Sequence, residues 1–298
     1  MGALRSNQQT DKTGLYFLQP YDPERIPLIF VHGLASSPFT WVGTINGLQA
    51  DPEVRKHYQF WVFAYPTGNP VLYSGLRFRE ELARVEKLHP NHKDFVVVGQ
   101  SMGGLLSQVQ ATTVTRADWE KALGAPGKML FSTLTPGETV TRALTFKANP
   151  RIKRVVFVCT PHRGADMATG GIGRLAISLI SLPATLASTI TAEVGQDVIK
   201  QLNNGRLPNG VSNLRPDAPY IKVLDKVPVQ APYHSIIGNR GKPGPLPESS
   251  DGIVPYWSSH MNKARSEVIV PGPHSSTELP QTITELDRIL RLNLKTEQ

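Results

Sequence analysis

Among the side chains of this sequence that could do covalent chemistry together, one serine set between glycines stands out, with an aspartate and a histidine further along as candidate partners. The serine is Ser101, in Gly99-Gln100-Ser101-Met102-Gly103-Gly104. A serine hydroxyl is a weak nucleophile at neutral pH and needs an imidazole to take its proton. The imidazole in turn needs an acid group to fix its tautomer and stabilise its charge. Asp251 and His274 follow Ser101 in chain order and can fill those two roles. What singles out Ser101 is its setting. Asp94-Phe95-Val96-Val97-Val98 before it is the short, β-branched run of a strand buried on both faces, and Leu105-Leu106-Ser107-Gln108-Val109-Gln110-Ala111 after it has helical spacing. Ser101 therefore sits at a sharp strand-to-helix corner, where glycines two residues before and after it remove Cβ atoms that would collide. Such a corner exposes the hydroxyl at the strand's C-terminal end and turns first-turn N–H groups towards an oxyanion beside it. The chemistry implied is acyl transfer through a covalent serine intermediate.

The elements that must position these residues can be read on either side. Leu15-Tyr16-Phe17-Leu18 reads as an edge strand, and Pro20, Pro23 and Pro27 force a loop. Leu28-Ile29-Phe30-Val31 is a buried parallel strand, followed by the small-residue loop His32-Gly33-Leu34-Ala35-Ser36-Ser37-Pro38 and a helix over about 39–49. Tyr58-Gln59-Phe60-Trp61-Val62-Phe63-Ala64-Tyr65 is the next strand, ending in the Pro66-Thr67-Gly68-Asn69-Pro70 turn. Phe78, Leu82, Val85 and Leu88 recur at helical spacing with charged residues between them, which describes an amphipathic helix with a solvated face. Arg154-Val155-Val156-Phe157-Val158-Cys159 and His234-Ser235-Ile236-Ile237-Gly238-Asn239 read as further strands. Ser266-Glu267-Val268-Ile269-Val270 is the last, before a C-terminal helix over about 277–292.

Strands alternating with helices predict an α/β fold, a doubly wound and mostly parallel sheet with its ligands at the strands' carboxyl ends. All 298 residues read as one domain, carrying helical cap insertions at about 112–150 and 165–232 that the sheet does not need. Within the second insertion, residues 172–190 hold a single charge, Arg174. Pro183 and the many Ser, Thr and Gly residues argue against a membrane span, as does the position between two strands of one sheet. The stretch reads as one or two apolar cap helices roofing the serine, with a mobile lid that meets a lipid interface as the sharper version.

The net charge of +8 comes from Lys and Arg spread along the chain, with no helix-turn-helix, zinc or RNA-binding signature, so a basic surface is expected and no nucleic-acid partner. Cys159 is the only cysteine, which excludes an intrachain disulfide and any multi-cysteine metal site; closing an apolar run, it reads as a buried strand residue. Residues 1–12 lack the charged-then-apolar order of a secretory signal. The chain as written thus reads as cytoplasmic, or as exported if a leader has been removed.

The strand, G-x-S-x-G turn and helix around Ser101 resemble the nucleophile elbow of the α/β-hydrolase superfamily, and nearly the whole chain from Pro27 onwards resembles its bacterial serine carboxylesterase and lipase members. The order Ser101, Asp251, His274 is that of the superfamily, and each residue follows a predicted strand. The Asp251-Gly252-Ile253-Val254-Pro255 loop is of the kind that carries the acid in many such enzymes. His260 is the best rival base, since it too follows the acid, but it precedes the last strand; His162 lies before the cap, where the order places no base. Asp166, Asp197, Asp217 and Asp225 are rival acids in or beside the cap. The resemblance makes the Leu34 and Met102 backbone N–H groups the oxyanion donors and gives His32 the job of bracing their loop. It calls for no metal or organic cofactor and no obligate protein partner. Gln100, where relatives often have histidine, is expected to tune packing alone. The implied activity is hydrolysis of apolar short- to medium-chain esters, polyesters among them. An acyltransferase with the same three residues and a non-catalytic lipid-binding scaffold are the alternatives.

Overall fold

Six runs align side by side, the central ones buried on both faces, because each must satisfy its backbone from its neighbours. The computed structural model describes residues 13–165, 182–203, 207–241 and 244–296. Its strands are β1 (Gly14–Phe17), β2 (Ile26–Val31), β3 (Tyr58–Ala64), β4 (Phe95–Gln100), β5 (Ile152–Val158), β6 (Tyr233–Asn239) and β7 (Glu267–Pro271). They form one seven-stranded sheet in the order β1-β3-β2-β4-β5-β6-β7. β2 to β7 pair in parallel and β1 runs antiparallel to β3 at one edge. All six residues of β2 and of β4 are buried. Pro27, expected in a loop, is the second residue of β2, a strand-start position where a missing N–H is tolerated.

The two faces of the sheet are covered by different helices. On one, Leu28, Phe30, Val96 and Val98 pack against α1 (Val42–Ala50), α2 (Pro52–His57) and α12 (Pro280–Thr296), the last through Leu286, Ile289 and Leu290. On the other, Ile29, Val31, Phe63 and Val97 pack against α3 (Val71–Leu88) and α4 (Met102–Gln110). Each such buried side chain contributes about 1.5–3 kcal/mol relative to water. Asp51 ties one layer together: it caps α2 by accepting from Glu53 and Val54 N–H and pairs with Arg291 of α12.

Helices are found in the described parts of the later connections. α5 (Arg116–Leu123), α6 (Ala125–Thr133) and α7 (Thr139–Leu144) lie between β4 and β5. Between β5 and β6 lie α8 (Ala184–Val194), α9 (Gln196–Asn203) and α10 (Pro219–Leu224), and α11 (Tyr256–Ser259) lies between β6 and β7. Trp119, Leu130, Leu186, Ile190 and Tyr220 from these segments join the same apolar cluster as α3 and α4. The cap-helix reading of residues 172–190 falls partly outside the described residues, as do residues 1–12.

Three buried histidines set the acid response of the fold. His32 is held neutral, its pKa lowered to about 4 by burial against the opposing pull of the Gly33 carbonyl. Burial and Arg163 lower His162 to about 3, and burial with Arg154 and Arg288 lowers His234 to about 4. Each must gain a proton on unfolding below about pH 6.5, so the unfolded state binds more protons there and stability rises with pH. Stability is fully present above pH 6.5 and is lost as pH falls towards 4, by about 1.4 kcal/mol for each pH unit a group is depressed. The melting temperature is therefore expected to drop steadily from pH 7 to pH 5; a flat profile would contradict neutral burial of these rings.

Candidate active site

Ser101 is the single residue between β4 and α4, and it adopts φ 55° and ψ −125°, outside the regions open to ordinary side chains. Close packing holds it there. A Cβ on Gly103 would strike the carbonyl oxygens of Val31 and His32, and one on Gly99 would strike the Gly103 carbonyl. A Cβ on Gly33 would lie 2.9 Å from that of Ser101, so the turn after β2 rests directly on the serine. The Ser101 N–H donates to the Val158 carbonyl at 2.9 Å, carrying the β4–β5 ladder one residue past the strand.

His274 arrives on the loop after β7, and its Nε2 lies 2.8 Å from Ser101 Oγ. Its Nδ1 lies 2.7 Å from Asp251 Oδ2. An ionised carboxylate only accepts, so Nδ1 carries the proton, and the Nε2 lone pair accepts from the serine hydroxyl. This is the tautomer a general base requires. Asp251 is 2% exposed, and its Oδ1 accepts from the Ile253 and Val254 N–H groups at 2.8 and 2.7 Å. The turn that folds these donors back needs Gly252 at φ 97°, which explains the Asp-Gly pair.

The loop after β2 is braced from β3. Tyr65 Oη donates to the His32 carbonyl at 2.7 Å and its ring stacks on His32 at 4.5 Å between centroids. The neutral His32 donates through Nδ1–H to the Gly33 carbonyl at 3.1 Å, which fits the bracing role expected of it. Ala35 sits at φ 53° with its N–H donating to Thr67 Oγ1 at 3.3 Å. Leu34 is half-buried between these fixed points, and Met102 is the first residue of α4, whose N–H has no intrahelical acceptor. Thr67→Val keeps the bulk and removes the acceptor beside Leu34. If Leu34 holds an oxyanion, kcat should fall about tenfold with KM within about twofold, since the interaction matters only when charge develops; steady-state kinetics on one ester decides it.

The rivals are engaged elsewhere. His260 holds Glu267 through Nδ1 and Asn262 through Nε2, each at 2.7 Å. His162 is buried, with Nδ1–H donating to Gln108 Oε1 at 2.8 Å. Asp225 pairs with Arg163 at 2.9 Å, Asp217 with Arg215 at 2.9 Å and Asp197 with Lys200 at 3.9 Å; Asp166 lies outside the described residues. Three residues of the site were not expected from the sequence. Gln100 does more than pack, because its Nε2 donates to the His274 carbonyl at 3.1 Å and ties the histidine loop to the serine strand. Thr67 is the second, and Cys159 the third. Among the described residues, the group of His, Cys and acidic side chains close enough to hold a metal is Cys159, Asp251 and His274, and two of those are committed to the line just described.

Comparison with solved structures places this architecture. Over 93% of this chain and 97% of the other, the fold matches the mature form of the Bacillus licheniformis lipase BlEst2 with a TM-score of 0.54 at 16% identity. The propeptide form of the same lipase matches with a TM-score of 0.51 at 16% identity, over 92% of this chain and 53% of that one. EstA from Clostridium botulinum matches with a TM-score of 0.53 at 12% identity, over 96% and 94% of the two chains. No protein-family model matches the sequence, and no curated protein matches it. A mostly parallel seven-stranded sheet with helices on both faces, together with these neighbours, gives the chain the α/β-hydrolase fold. What these structures share with the chain is that fold.

Proposed function

We propose that the protein is a serine carboxylic-ester hydrolase. What carries this reading is the unbroken hydrogen-bonded line Asp251–His274–Ser101, which ends on a serine held in a strained corner at the carboxyl end of the sheet. In the first half-reaction Ser101 Oγ attacks the ester carbonyl carbon as His274 Nε2 takes its proton. The Leu34 and Met102 N–H groups hold the oxyanion. Collapse breaks the bond to the alkoxy oxygen, His274 Nε2–H protonates it, and the alcohol leaves an acyl-serine. Water then attacks the acyl carbon, giving a proton to His274, which returns it to Ser101 as the acid departs. Asp251 stays ionised throughout and holds Nδ1–H.

The segments at 112–150 and 165–232 we take as the cap over the acyl chain, in line with the apolar cluster that their described helices share with α3 and α4. A confined apolar cap favours short- to medium-chain acyl groups. That one of the neighbouring structures is a lipase is consistent with that class. Initial rates on p-nitrophenyl esters from acetate to palmitate test the reading, with fluorophosphonate labelling as the second measurement. Hydrolysis peaking at short or medium chains, with stoichiometric label on Ser101, is expected. No turnover of any ester and no label would overturn it.

A further inference from the structure

The carboxylate that orients the base has one contact still to be accounted for. An ionised carboxylate offers about four acceptor positions. Ile253 and Val254 N–H fill two on Oδ1, and His274 Nδ1–H fills one on Oδ2. With Asp251 2% exposed, water has little access to the fourth. Behind it stands Cys159, fully buried, the first residue past β5. Its sulfur, a carboxylate oxygen of Asp251 and a ring nitrogen of His274 all lie within 4.8 Å of one another.

The contact depends on backbone built to allow it. Cys159 adopts φ 49°, a left-handed conformation that a non-glycine residue keeps only when its surroundings enforce it, and its N–H donates to the Ile236 carbonyl at 2.9 Å. Opposite lies Gly238. A Cβ there would stand 2.8 Å from Asp251 Cβ and 3.2 Å from Cys159 Sγ, so the missing side chain is what lets β6 pass behind both residues. Burial raises the Cys159 thiol well above its ordinary range; the Asp251 charge and a hydrogen bond to Asp251 raise it further, against the pull of the Gly238 N–H. The sulfur therefore keeps its proton, which makes it a donor and not a nucleophile.

We propose that Cys159 is a positioning residue, its thiol donating to the Asp251 carboxylate beside the His274 ring and fixing the orientation in which Asp251 holds the imidazole. This rests on the reading of Ser101, His274 and Asp251 as the catalytic line. Losing the donor leaves Asp251 freer to turn and its charge less neutralised. The first effect slows proton transfer, and the second stabilises the imidazolium of His274.

The test compares Cys159→Ala with Cys159→Ser. Both remove the sulfur, and the serine variant differs from the alanine variant only by a hydroxyl that can still donate. Cys159→Ala is expected to lower kcat about tenfold with KM little changed, and to move the acid limb of the kcat/KM profile up by about half a pH unit. Cys159→Ser is expected to recover most of the rate and the original limb. The His274 pKa, followed by NMR of the ring in the full-length protein, supplies a readout that needs no turnover: it should be higher in the alanine variant than in the serine variant. Equal kcat, limb and His274 pKa in the two variants, or a serine variant no better than alanine, would reduce Cys159 to a space-filler and overturn the proposal. A wild-type protein that hydrolyses no ester and takes no fluorophosphonate would instead break the hydrolase reading, while the ring titration would still report on Cys159.

Discussion

Ser101→Ala is expected to lower kcat by about ten-thousand- to a million-fold while leaving the melting temperature within about 2 °C of wild type. The two halves of that expectation have separate causes. Alanine adopts φ 55° at about the same cost as serine, and the group that loses a partner is His274 Nε2, on a side chain 15% exposed. The rate, by contrast, loses the group proposed to form the acyl-enzyme. His274→Ala should cost about as much, because an unassisted hydroxyl is too weak a nucleophile at neutral pH. The sharper expectation concerns the pair. Residues that act as one unit are non-additive, so Ser101→Ala/His274→Ala should be no slower than the worse single variant within about threefold. Initial rates on the best p-nitrophenyl ester, alongside thermal melts, measure both. A double variant whose losses multiplied would mean that the two side chains act independently, and the 2.8 Å contact between them would then not be a proton path.

How much of this could be read in advance depends on how local the cause is. The fold was legible because each central strand is a short run buried on both faces, and the register of β2, β4 and β5 needs nothing more than those runs side by side. Ser101 was legible because close packing demands glycine at positions 99 and 103. Asp251 was singled out by the resemblance of its Asp-Gly loop, and the structure supplies the local cause, a turn that needs φ 97° at the next residue. These are contacts within a few residues or across neighbouring strands. What stayed hidden is long-range. Gln100 meets the carbonyl of a residue 174 positions away, and nothing in its own neighbourhood marks it as a tether. Thr67 reaches Ala35 across 32 positions through a single hydroxyl. The start of α3 was missed for the opposite reason. Val71, Leu72, Ser74, Gly75 and Leu76 are all buried, so the first turns have no polar face and carry no amphipathic signal. Cys159 was read correctly as buried, but burial alone did not say that it would face Asp251.

The second large effect lies in the packing under the serine. Gly103→Ala adds one methyl group, and the atoms it meets are the carbonyl oxygens of Val31 and His32. Val31 ends β2, a central strand paired on both sides, and the carbonyl of His32 just after it accepts from Tyr65 Oη, so neither can rotate away freely. The strain can be relieved only by moving α4 off the sheet or by bending the turn that carries Gly33 and Leu34. The first costs packing against a buried helix, about 3 kcal/mol or a melting temperature lower by about 6 °C. Either movement also separates groups that must meet within tenths of an ångström. A misplacement of about 1 Å costs about a hundredfold in rate, and here Ser101 Oγ and the Met102 N–H would move with α4 while His274 stays with β7. Gly43→Ala is the control, because its methyl would meet the exposed carboxylate of Glu278, which can shift at the cost of its hydrogen bond from the Gly43 N–H, so stability should fall by no more than about 1 kcal/mol and kcat should be unchanged. The comparison separates a glycine kept for its close approach from one that is merely present. Should Gly103→Ala melt and turn over like the control, the β2 carbonyls would have to yield at little cost. The rigidity assigned to the loop after β2 by its contacts with Tyr65 and Thr67 would then be wrong as well.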